Sequence, residues 1–111
     1  ILNGPDETMI CGLMAGADGA IGSTYNIMLN YAKNIFRAFA KSDLQTCLIA
    51  QTHINRVINV LMETGCFLQA LKYILFLQGI DVGYAMYPFN RLDDKTKSVI
   101  KEKLMEIGFE Y

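Results

Sequence analysis

The sequence predicts an α/β chain that becomes wholly helical after its first third. Two observations carry this expectation. Short segments at 1–3 and 18–22 each read as a strand ending at a glycine and leading into a helical pattern. Strand, helix, strand, helix in close succession is the order of a parallel sheet with crossover helices. From Ser42 onward apolar residues recur only at helical spacing, with glycines where the patterns stop.

Taken in order, Ile1-Leu2-Asn3 is a short strand ended by Gly4-Pro5-Asp6, because proline cannot continue a ladder. Asp6 and Glu7 then stand where a helix begins, a favourable place for carboxylates. That helix is expected over about Glu7 to Ala15, with Gly16 as its left-handed stop. A second strand follows over Asp18–Gly22. A second helix covers Tyr25–Ala40, with Ile27, Tyr31, Ile35, Phe36 and Phe39 along one side. Ser42 with Gln45 fits a capping box. It opens a helix to about Thr64 with Leu44, Leu48, Ile54, Ile58 and Leu61 as its stripe and Gly65 as its stop. A helix over Phe67–Gln78 ends at Gly79, and a loop passes through Tyr87-Pro88-Phe89-Asn90. The last helix begins near Asp93 or Asp94, buries Val99, Ile100, Leu104 and Ile107, and stops at Gly108. The chain thus divides into an α/β part, 1–41, and a helical part, 42–111. Two strands leave edges and a face uncovered, so this reads as the tail of a larger α/β domain.

Composition excludes several classes. Apolar residues make up 52% of the 111 and mean hydropathy is +0.24. So small a globule cannot hide that much, so some apolar side chains are expected to face other chain segments or subunits. The longest unbroken apolar run, Tyr73 to Leu77, is far below the roughly 20 residues of a membrane span, so no membrane partner is expected. A net charge of −1 with scattered lysines offers no footprint for nucleic acid. Cys11, Cys47 and Cys66 form no C-x-x-C pair, which points to free thiols in a reducing cytosol and to no metal site. The first residues carry no signal-peptide pattern, and without an initiating methionine the chain is expected to begin in the middle of something longer.

Two stretches stand out chemically. Gly16, Gly19 and Gly22 are spaced by three, which is neither G-x-G-x-x-G nor a P-loop. Gly22-Ser23-Thr24 at a helix start still offers amides to an anion. In Gly4-Pro5-Asp6-Glu7 the paired acids suit hydroxyl binding or acid–base work, or simply cap a helix. Both stretches follow strands, and in a (β/α)8 barrel the ligand site lies at the carboxyl ends of the strands. They would then line one pocket. His53, the only histidine, sits mid-helix beside an apolar stripe and suits a structural or surface role better than a catalytic one. The methionines fit core packing, and the Lys/Glu mixture over 95–106 fits a solvated helix face.

The residues "ILNGPDE" (1–7), the helix ending Ala15-Gly16, and "ADGAIGSTYNIM" (17–28) closely resemble the C-terminal part of the N-acetylneuraminate lyases. These sialic acid aldolases belong to the dihydrodipicolinate synthase superfamily of (β/α)8 barrels. The similarity extends through "LKYIL" (71–75) and "PFNRLDDK" (88–95) to about Gly108. It implies the last two βα units of a TIM barrel over 1–41 and a C-terminal three-helix subdomain over 42–111. It also implies a class I aldolase that reversibly cleaves N-acetylneuraminate to N-acetylmannosamine and pyruvate through a lysine Schiff base. The family's N-G-x-D-E and G-S loops bind the polyol tail, which places Gly4, Asp6, Glu7, Gly22 and Ser23 as substrate-binding residues here. Pro5, Leu29 and the arginine-free Ala85-Met86-Tyr87 depart from the family pattern. In the family the catalytic lysine, a tyrosine and the carboxylate loop all lie upstream of "ILNG", so no catalytic residue, cofactor or metal is expected in these 111 residues. The partners implied are sialic acid or a related sugar acid in the complete enzyme, and further copies of the same chain in a tetramer. Two other readings stand beside this one: a non-catalytic helical interaction or oligomerisation module, and an aldolase for another 2-keto-3-deoxy acid.

Overall fold

A computed structural model describes residues 1–111. They form two compact units, 1–56 and 57–111.

The first unit opens with a parallel βαβ crossover. Strands β1 (Leu2–Asn3) and β2 (Gly19–Ala20) pair in parallel, Leu2 beside Gly19 and Asn3 beside Ala20. The Asp18 and Ile21 amides continue the ladder by donating to the Ile1 and Asn3 carbonyls. The strand expected over 18–22 is therefore only two residues long, and beyond it Gly22 lies against the Asp6 carboxylate. The crossover also begins differently from expectation. Asp6–Thr8 is a 3-10 turn and the α-helix α1 covers only Met9–Met14. The cause is local: the Thr8 amide donates to the Pro5 carbonyl, 3.2 Å, an i to i+3 bond that winds the chain tighter than an α-helix. Gly12 lets α1 lie close over β1, since a Cβ there would stand 2.6 Å from Asn3 Cβ.

Helix α2 (Tyr25–Phe39) is bent at Met28 (φ −133°, ψ 31°), where the Thr24 carbonyl accepts from both the Ile27 and Met28 amides. Ile27 and Ile35 are buried as expected, but Met28, Ala32 and Ala38 complete the inner face. Tyr31, Phe36 and Phe39 are half-buried along its flank.

Helix α3 (Leu44–Met62) passes from the first unit into the second. Its cap is Asp43, not Ser42. Asp43 accepts from the Thr46 amide (3.0 Å) and hydroxyl (2.7 Å), whereas Ser42 sits at φ +58°, outside cap geometry. These hydrogen bonds hold the Asp43 carboxyl below its usual range. The inner face also departs from the expected stripe. Leu44 and Leu48 are exposed, and Cys47, Ala50 and Gln51 are buried in line with Ile54. Ile54, Ile58 and Leu61 are buried as expected, but counting back from Ile54 by three and four reaches small and polar side chains rather than Leu44 and Leu48.

In the second unit the end of α3 contributes Val57, Ile58, Val60 and Leu61 to the core. Helix α4 (Phe67–Leu77) adds Ala70, Leu71 and Ile74, and α5 (Asp94–Glu106) adds Ile100 and Leu104. Asp93 caps α5 by accepting from the Thr96 amide at 2.7 Å. Val99 is 39% exposed and Ile107 half-buried, so the α5 face is narrower than expected, while Phe109, past the helix, is buried. Gly16, Gly65, Gly79 and Gly108 all adopt positive φ where helices end. No single helix is long and apolar enough to cross a membrane.

Candidate functional site

The two unusual stretches meet where the strands end. The residues after β1, Gly4 to Glu7, and those after β2, Ile21 to Thr24, lie at the carboxyl ends of parallel neighbours. Asp6 joins them. Its Oδ2 accepts from the Thr24 amide at 2.9 Å and from the Thr24 hydroxyl in a short bond. Both side chains are withdrawn from water, Asp6 at 6% exposure and Thr24 at 1%. A buried carboxylate that accepts two hydrogen bonds is a strong tie between loops. Gly22 makes it possible, because a Cβ at that position would overlap the Asp6 carboxylate.

The remaining residues of the pair of loops are open. Gly4, Glu7 and Ser23 are exposed, and Gly22 is half-buried against Asp6. One acid of the pair is thus turned inward to hold the loops and the other is free on the surface. Pro5 keeps a structural part through its carbonyl, which accepts from Asn3 Nδ2 at 2.8 Å and from the Thr8 amide and hydroxyl. Tyr25, on the first turn of α2, places a buried hydroxyl without a hydrogen-bond partner in the field of both acids. Burial first, then the negative charges of Asp6 and Glu7, push that hydroxyl up to about 12.

Three further side chains belong to this region. Thr24 is the partner of Asp6, and the spacing D-x17-T carries no recognisable signal. Gln51 and Asn55, on α3, reach the same turn. Gln51 Nε2 donates to the Asp6 carbonyl at 2.9 Å and to Asn55 Oδ1 at 2.9 Å, and Gln51 Oε1 accepts from the Ile10 amide at 3.2 Å. Asn55 Nδ2 donates to the Glu7 carbonyl at 3.4 Å. The available signal was a glutamine three residues before Ile54, in line with the buried face of α3.

His53 is away from this chemistry. It stacks on Tyr31 with ring centroids 4.3 Å apart, and burial together with the Arg56 charge lowers its pKa. No group of three or more His, Cys, Asp or Glu side chains is arranged to hold a metal ion.

Consecutive βα units with polar loops gathered at the strand carboxyl ends are the arrangement of parallel α/β proteins, in which ligands bind at that end. The comparisons with known proteins agree with that class. The chain belongs to the dihydrodipicolinate synthetase family, whose model matches residues 1–107. It is 39% identical over 113 aligned residues to an N-acetylneuraminate lyase of Escherichia coli, covering 97% of this chain and 38% of that protein. Among solved structures, N-acetylneuraminate lyase from Fusobacterium nucleatum superposes with a TM-score of 0.88 at 34% identity, covering 99% of this chain and 37% of that one. The Proteus mirabilis N-acetylneuraminate lyase gives a TM-score of 0.86 at 32% identity, covering 96% and 36%. The chain therefore spans little more than a third of the length of the relatives it matches.

Proposed function

We propose that this chain is the C-terminal segment of a sialic acid aldolase that reversibly cleaves N-acetylneuraminate to N-acetylmannosamine and pyruvate. The segment contributes the last two βα units of the barrel and the lip that binds the polyol tail, with Gly4, Glu7, Gly22 and Ser23 facing the tail. Asp6, expected from the sequence to bind the tail directly, instead ties the two loops of the lip together. The observation that carries the reading is the Asp6–Thr24 tie across Gly22, which brings two βα loops to one edge with Glu7 and Ser23 open. A carboxyl group and a serine hydroxyl at such an edge suit vicinal hydroxyls.

The lysine that forms the Schiff base with pyruvate lies outside these residues. A nucleophilic lysine needs a lowered pKa in a desolvated site. Lys97 and Lys103 are instead pushed up by hydrogen bonds to Asp94 and Glu63. Lys33, Lys41, Lys95 and Lys101 are exposed, and Lys72 donates to the Val82 carbonyl at 3.0 Å. None of the seven stands on a strand. The segment by itself is inactive in this reading. Apolar side chains left open here, such as Ile21, Leu29, Leu48 and Ile49, are covered by the rest of the barrel and by neighbouring subunits of a cytoplasmic homo-oligomer.

The test is the complete protein assayed on N-acetylneuraminate and on simpler 2-keto-3-deoxy acids. Preference for N-acetylneuraminate, with KM raised by Glu7→Gln and Ser23→Ala, supports the proposal. Equal or better turnover of the simpler acids transfers the assignment to another aldolase specificity.

A further inference from the structure

We propose that Gln51 and Asn55 are positioning residues that set the tail-binding turn of the aldolase from the helical segment behind it; this rests on the function proposed above. The turn that presents Glu7 is a single 3-10 turn, and such turns hold themselves weakly. Its own caps are poor, since neither Pro5 nor Thr8 supplies a side-chain cap to the helix starts there. The first amides of a helix have no intrahelical partner and must find one elsewhere. For the Ile10 amide that partner is Gln51 Oε1, 41 residues further along the chain.

The same amide group serves the carbonyl side of the turn. Gln51 Nε2 has two hydrogens, and both are used, one on the Asp6 carbonyl and one on Asn55 Oδ1. The orientation of the Gln51 amide is fixed by its partners: a rotated group would set its NH2 against the Ile10 N–H and its oxygen against two acceptors. Asn55, held in turn by Gln51, donates to the Glu7 carbonyl. Two successive peptide carbonyls and the following helix amide are therefore clamped from α3. Gln51 is 6% exposed, so water cannot substitute cheaply for it. The Asp6 side chain fixes the turn laterally to the Thr24 loop, and Gln51 with Asn55 fixes its backbone from behind. Glu7 points outward from a peptide held on both sides, and its direction toward a sugar hydroxyl depends on that hold.

The consequence is a helix outside the barrel loops that tunes affinity for one half of the substrate only. In the complete protein, condensation of N-acetylmannosamine with pyruvate separates the two halves kinetically. Gln51→Leu keeps the side chain's bulk and removes all three hydrogen bonds. Misplacement of a binding group by a fraction of an ångström to an ångström is expected to raise KM for N-acetylmannosamine by about tenfold or more, with KM for pyruvate unchanged within about twofold. Asn55→Ala, which spares the Gln51 bonds to Asp6 and Ile10, is expected to act in the same direction by less. It decides the matter if Gln51→Leu does not fold. Hydrogen exchange of the peptide covering residues 5–10 is expected to quicken in both variants while residues 25–39 stay as protected as before. Equal loss for both substrates, or unchanged exchange at 5–10, overturns the proposal. If the wild-type protein performs no condensation, the aldolase reading fails, and the exchange experiment alone still decides whether α3 holds the turn.

Discussion

Replacing Gly22 by alanine tests the tie between the two loops. The added Cβ would stand 2.7 Å from Asp6 Oδ2 and closer still to Cγ and Oδ1. No rotation of the methyl relieves this, so the carboxylate must leave. Asp6 is 6% exposed and Thr24 1% exposed, so departure strands a buried amide and hydroxyl and loses two bonds to a charged acceptor. At about 1.5–3 kcal/mol for each such bond, and allowing for partial relaxation, the expected loss is about 3 kcal/mol. A double-mutant cycle separates this from a general intolerance at position 22. In an Asp6→Ala background there is no carboxylate to displace, so Gly22→Ala is expected to cost less than about 0.5 kcal/mol, the range of independent sites. Urea unfolding of the four proteins gives all the terms. Additive losses, or a Gly22→Ala protein as stable as the parent, would show that Gly22 does not make room for the Asp6–Thr24 tie.

Gly12→Ala is expected to be destabilising too, because its Cβ would stand 2.6 Å from Asn3 Cβ, closer still to Oδ1, and would push α1 off β1; thermal unfolding checks it. Tyr25→Phe removes a buried hydroxyl with no partner, so at pH 7 stability is expected to be unchanged or to rise by up to about 1 kcal/mol. The sign of its pH dependence follows from a folded value of about 12 against an ordinary 10: the stabilisation is complete below pH 10 and is lost as pH rises toward 12. Unfolding titrations of wild type and Tyr25→Phe should therefore diverge only above pH 10. Cys47 is fully buried, its thiol raised first by burial and then by Asp43, with Sγ donating to the Ile35 carbonyl. Alkylation of Cys47 is expected only after denaturation, and labelling of the native protein at this position would contradict its placement.

Much of this fold was legible because its punctuation is chemical. Gly16, Gly65, Gly79 and Gly108 end helices at positive φ, where only glycine is unstrained, and Pro5 stops a strand that can donate no further bond. The helix faces were harder to read. On α3 the large residues Leu44 and Leu48 drew the expected stripe to one side, whereas close packing placed Cys47, Ala50 and Gln51 inward. Ser42 and Asp43 are both good caps by composition, and only the backbone conformation separates them. The loops of the candidate site were visible as motifs, but not the division of labour within them. Nothing in "GPDE" says that Asp6 turns inward to Thr24 while Glu7 stays out. The Gln51 and Asn55 contacts join positions 41 to 48 residues apart, and no local pattern records such a distance.

In the proposed function these 111 residues hold the substrate's tail and leave bond-making to a lysine elsewhere in the complete protein. Reduction of the complete protein with borohydride in the presence of pyruvate, followed by peptide mass mapping, tests it directly. The predicted result is a single reduced pyruvate adduct on a lysine outside residues 1–111, with all seven lysines of this segment unmodified. An adduct on any of those seven would overturn the proposed function.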